Sequence, residues 1–127
     1  MVVRITSMVL RIAAVLALIL GLLFWFNVAK GLVAIHMLLG IIVVLALWVL
    51  GGVIVSKKGG MGLAIGAFVL GLIVFLFGMT QRSILIGNVH WLIQVIHLIL
   101  GLGAIGLGEA IAGRYKRLNV ATQTIKS

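Results

Sequence analysis

Residues 29–55, AKGLVAIHMLLGIIVVLALWVLGGVIV, contain one lysine and one histidine in an otherwise apolar run. A bilayer core of about 30 Å needs roughly 20 apolar residues per helical crossing, so this stretch reads as a transmembrane helix. Three further runs have the same character, at about 8–27, 61–80 and 88–112. Short polar breaks separate them: Asn27 with Lys30, then SKKGG at 56–60, then QRS at 81–83 leading to Gly87 and Asn88. Four spans with tight connections predict an all-α fold, an integral membrane four-helix bundle running up-down-up-down.

Composition agrees: 65% of the 127 residues are hydrophobic and 9% are charged, and the mean hydropathy is +1.44. The absence of cysteine excludes disulfides, thiolate zinc sites, iron–sulfur clusters and covalent c-type haem attachment. With no proline, the seventeen glycines are read as turns or as close helix contacts. A formal charge of +9 would suggest nucleic acid in a soluble chain. Here the basic residues cluster at the ends of apolar runs, which points to anionic lipid headgroups and to no nucleic acid partner.

Those basic residues also predict orientation. Arg4, Arg11, Lys57, Lys58, Arg114, Lys116, Arg117 and Lys126 fall on one side of a four-span topology, and Lys30 and Arg82 on the other. The positive-inside rule then puts both termini in the cytoplasm of a bacterial or archaeal inner membrane. The first span lacks a convincing cleavage site and is followed by three more, so it is read as a span and not as a signal peptide.

The chain repeats itself. NVAKGLVAIHMLLG at 27–40 and NVHWLIQVIHLILG at 88–101 agree at Asn27/Asn88, Val28/Val89, Ile35/Ile96, His36/His97, Leu39/Leu100 and Gly40/Gly101. Leu20-Gly21-Leu22 and Phe24–Phe26 resemble Leu70-Gly71-Leu72 and Phe75–Phe77. The single domain 1–127 therefore reads as two repeated helix hairpins, about 8–55 and 61–112, with a basic cytoplasmic tail at 113–127. Two spans separate the copies, so their natural relation is a pseudo-two-fold axis along the membrane normal.

Asn27 and Asn88 occupy N-cap positions for the second and fourth helices. His36 and His97 each lie nine residues beyond them, which at 1.5 Å per residue predicts a common depth of roughly 13 Å. An ionisable side chain at that depth is costly and marks a functional site by default. Two facing imidazoles are what a bis-histidine haem requires. The alternative is a pair that only hydrogen-bonds between helices. Gly40 and Gly101, one turn further along the same faces, would leave room for a flat macrocycle. His90 has Ala29 as its repeat counterpart and reads as an interfacial residue; with Lys30 and Arg82 it could meet haem propionates.

Glu109 is the only acidic residue and is expected to pair with Arg114, Lys116 or Arg117. The G-x-G-x-x-G string at 101–106 lies inside an apolar span, so it reads as helix contact and not as a dinucleotide fingerprint. Trp25, Phe26, Trp48, Trp91 and Tyr115 read as packing or interfacial aromatics.

With a histidine on the second and fourth helices, each opening a His-x-x-x-Gly run, the chain resembles one four-helix half of the haem A synthase family, and more loosely the small four-helix b-type membrane cytochromes. Where that family carries Glu and Arg around the helix-2 histidine, this chain has Val33 and Met37, and the family's outer cysteine pair is missing. The resemblance thus implies the haem-holding scaffold and not haem A synthesis. Only one bis-histidine haem b can be built, since the first and third spans have no histidine. The expectation is a one-electron carrier, an electron-transfer subunit more than a stand-alone enzyme. Its partners would be other membrane subunits of a respiratory or photosynthetic complex or a periplasmic carrier, with a quinone as a further partner. The competing expectation is a non-redox anchor subunit. A chlorophyll would need only one of the two histidines.

Overall fold

A computed structural model describes residues 2–26, 28, 30–80 and 90–126, without the side chains of Lys30, His90 and 121–126. Its elements are α1 (Val2–Trp25), a 3-10 turn (Lys30–Leu32), α2 (Val33–Ile54), α3 (Met61–Thr80) and α4 (His90–Lys126). All four α-helices are long and apolar enough to cross a membrane. Sequential helices pack against each other, α1 closes against α4, and α2 and α4 meet across the bundle. The fold is an all-α four-helix bundle in which the two histidine-bearing helices are the diagonal pair in contact.

Apolar residues cover the outside as well as the inside. Ile5, Ile12, Leu45, Val49, Ile65, Leu72, Ile99 and Leu102 are all exposed, as lipid-facing residues must be. In hydrocarbon, burial of apolar surface gives no drive to associate, so close packing must hold the bundle. Small residues supply it. Ala64, Ala67 and Gly71 are buried on one face of α3, and a Cβ on Gly51 of α2 would stand 3.0 Å from the Ala67 Cβ. At Gly71 a Cβ would strike the Trp48 indole. On the other seam, Gly108 of α4 admits Leu10 of α1, whose side chain is fully buried.

The α3 boundaries coincide with the expected span, while the other helices differ in ways that have causes. α1 begins six residues before its expected span, and α4 runs through Lys126. In each case the polar and basic residues outside the apolar run, with no proline among them, continue the helix. α2 starts at Val33 after the 3-10 turn, and its N-cap is Leu32 with no side-chain hydrogen bond. Asn27 is therefore not the cap of α2. Asn27, Asn88, Arg82 and the segment Ile84–Ile86 lie outside the described residues.

The α2–α3 connection is tight and hydrogen-bonded. After α2, Lys57 N–H donates to the Ile54 carbonyl at 3.0 Å and Gly60 N–H to the Lys57 carbonyl at 2.9 Å. Gly59 adopts φ +72°, the left-handed region that favours glycine. Gly60 is buried so closely on the end of α2 that a Cβ would strike the Ile54 carbonyl.

Candidate functional site

His36 is the fourth residue of α2, whose N-cap is Leu32, so counting nine residues from a cap at Asn27 does not set its position; His97 lies on α4. They meet nonetheless: their ring centres are 6.2 Å apart, with the planes inclined by 62°. The diagonal contact of α2 with α4 brings this about.

Each ring is seated by the helix before it in the chain. Phe24 of α1 meets His36 edge-on at 5.4 Å, and Phe77 of α3 stacks on His97 at 5.7 Å with an interplanar angle of 9°. A glycine accompanies each phenylalanine. Cβ atoms built on Gly21 and Gly78 would lie 3.4 Å from His36 Cε1 and 3.8 Å from His97 Cε1. The two hairpins thus repeat a histidine, phenylalanine and glycine grouping. Its glycine is not the one the sequence repeat pairs, because Gly71, the counterpart of Gly21, serves the Trp48 contact instead.

Beside the rings lies a cavity of about 660 Å³ lined by all four helices. That is within the range of roughly 300–1,000 Å³ usual for cofactor sites. Each helix turns one glycine to it: Gly21, Gly40, Gly78 and Gly101. The first and third of these accommodate the histidine rings. At Gly40 and Gly101 a Cβ would meet nothing within 4 Å, so these two border open space.

The lining is apolar apart from His36, His97 and Gln94. Sequence reasoning misses Gln94, although a signal is there: it precedes His97 by three residues, on the same helical face, and is the only other polar residue between Trp91 and Gly108. The Nδ1 atoms of both histidines are buried without a hydrogen-bond partner. Buried polar atoms are rarely left so.

Two spacings discriminate between chemistries. Imidazoles joined by a direct hydrogen bond of about 2.9 Å, with roughly 1 Å from each nitrogen to its ring centre, would stand about 5 Å apart. Imidazoles on opposite sides of one metal ion, with bonds of about 2 Å, stand about 6 Å apart. The observed 6.2 Å is wider than the first. Among the described residues, no group of three or more His, Cys, Asp or Glu could hold a metal ion. An ion between these two rings would therefore need its remaining ligands from elsewhere.

Of the residues singled out in the sequence, His36, His97, Gly40 and Gly101 come together around this cavity. Arg82 and the side chains of Lys30 and His90 lie outside the described ones. Glu109 is ion-paired, but across the bundle with Arg11 and not with its neighbours on α4. Arg11 Nε and Nη2 engage the two carboxylate oxygens as a fork, the second at 2.8 Å. Arg114 instead donates from Nη2 to the Lys58 carbonyl at 3.2 Å.

Fold and site together define a helical membrane bundle with a facing histidine pair beside an apolar cavity. Compared with known protein families, characterised proteins and solved structures, the chain matches none.

Proposed function

We propose that the chain is a membrane b-type cytochrome in which His36 and His97 hold one haem. The observation that carries this reading is the 6.2 Å separation of two ring centres whose Nδ1 atoms have no partner. The residues fit the group: two imidazoles wider apart than a direct hydrogen bond would hold them, an apolar cavity of sufficient size, and open space at Gly40 and Gly101. When bound, a bis-histidine haem supplies one-electron transfer, with no open position for oxygen chemistry.

The chain's own residues would do the rest. Phe24 and Phe77 fix the ring planes. Gln94 offers a polar contact within an otherwise apolar lining. The surrounding apolar side chains exclude water. By the positive-inside rule both termini are cytoplasmic. The histidines, near the starts of α2 and α4, then lie toward the outer face, where electrons would pass to or from another membrane subunit, a periplasmic carrier or a quinone. The competing reading, histidines that only hydrogen-bond between helices, leaves both Nδ1 atoms without an acceptor.

The test is a reduced-minus-oxidised visible spectrum of the purified protein. A b-type spectrum is expected, lost in His36→Ala and His97→Ala and kept in His90→Ala. A colourless preparation that takes up no added haem refutes the proposal.

A further inference from the structure

The end of the bundle that carries the α2–α3 turn gathers positive charge without a counter-charge. Lys57 and Lys58 lie in the turn. Arg114 is level with them, since it donates to the Lys58 carbonyl, and Lys116 and Arg117 follow on α4. The Lys57 ammonium stands 5.4 Å over the Tyr115 ring, a cation–π contact that leaves its charge in place. Arg4 reaches the same level from α1. Because Arg11 pairs with Glu109 and the two helices are antiparallel, seven residues back from Arg11 lies opposite seven residues on from Glu109, which is Lys116. The chain's one acidic side chain, Glu109, is engaged by Arg11 through both oxygens. No carboxylate side chain remains for the other cations.

Arg114 is the most constrained of them. Its side chain is half-buried, and its Nε is buried without an acceptor. A Cβ on Gly59 would strike its Nη2, so the glycine at φ +72° is what lets the turn close over the guanidinium. The protein thus holds this charge in position and does not neutralise it. Directly beside the turn, Val55, Met61 and Ile65 present exposed apolar side chains. A ligand complementary to both features is an amphiphile, with an anionic phosphate for the cations and acyl chains for the apolar face.

We propose that the α2–α3 turn and α4 form a binding site for the phosphate of an anionic phospholipid headgroup. Arg114 lies at its centre, with Lys57, Lys58 and Arg117 around it. Arginine suits phosphate through its planar fork of donors, and juxtamembrane cations are attracted to anionic leaflets. The site is independent of the histidine pair.

The test uses the full chain in mild detergent, with lipid retention read by native mass spectrometry and stability by thermal unfolding. Phosphatidylglycerol should be retained and should raise the unfolding midpoint, whereas phosphatidylcholine and inorganic phosphate should do neither. Arg114→Gln should lower phosphatidylglycerol retention by about tenfold or more. Because Arg114 also clasps the turn, a second variant, Lys57→Gln with Arg117→Gln, keeps the Lys58 carbonyl contact and should lower retention several-fold with helicity unchanged. Equal retention of both lipids, stabilisation by phosphate alone equal to that by lipid, or unchanged retention in both variants would each overturn the proposal.

Discussion

Replacing Gly101 by leucine separates a cavity kept open for a ligand from one that is merely a packing defect. A Cβ at this position meets nothing within 4 Å, and the residue lines the cavity beside His97. Leucine adds four carbons, roughly 100 Å³ of side chain, and at about 24 cal/mol per Å³ of cavity filled this is worth at most ~2 kcal/mol of stability. Replacing a helical glycine adds about 0.8 kcal/mol of the same sign. Gly101→Leu should therefore leave the ligand-free bundle as stable as the parent or more so, by up to about 3 kcal/mol in denaturant unfolding in detergent. The same variant should abolish haem uptake in the visible spectrum, because it occupies the space next to the imidazole. Gly40→Leu should behave in the same way from the opposite helix. Undiminished haem uptake, or a loss of more than about 1 kcal/mol in the ligand-free protein, would refute the assignment of this space to a ligand.

Gly71→Ala drives a methyl group into the Trp48 indole, whose Cδ1 would be 2.8 Å away; a loss of about 1–3 kcal/mol is expected in unfolding measurements, recovered in large part by adding Trp48→Leu. Gly59→Ala forces a side chain into a left-handed backbone and onto Arg114; a cost of about 1–3 kcal/mol is expected in the same measurement, while Gly62→Ala, in open space, should be neutral or slightly stabilising. Arg11→Gln and Glu109→Gln should each destabilise the α1–α4 seam, and the double variant should lose less than the sum, read from a double-mutant cycle.

Length and hydropathy make the four helices legible, and α3 most fully, because Gly59 with Gly60 and Gln81 with Arg82 bracket an unbroken apolar run. The same criteria make α1 and α4 too short, because hydropathy marks where lipid ends, whereas a helix continues until something breaks it. The start of α2 is misplaced because Asn27 satisfies a capping rule that is local, while the chain inserts a 3-10 turn at Lys30–Leu32 first. The pairing of His36 with His97 is legible in the repeat. Their seats are not, since Phe24, Gly21, Phe77 and Gly78 belong to other helices and repeat with a shifted register. The partner of Glu109 is hidden for a similar reason: Arg11 is 98 residues away in sequence and adjacent only because α1 closes against α4. Gln94 differs, being readable from spacing alone.

The diagonal contact of α2 with α4 has a consequence for assembly. His36 belongs to the first hairpin and His97 to the second, so a ligand gripped by both imidazoles would be a cross-brace between halves of the chain that also join through small-residue packing, the Arg11–Glu109 ion pair and one six-residue turn, Val55–Gly60. Its binding energy is then also energy holding the hairpins together, growing with ligand concentration by mass action. If the proposed ligand binds there, loading the cavity and bracing the two hairpins are one event.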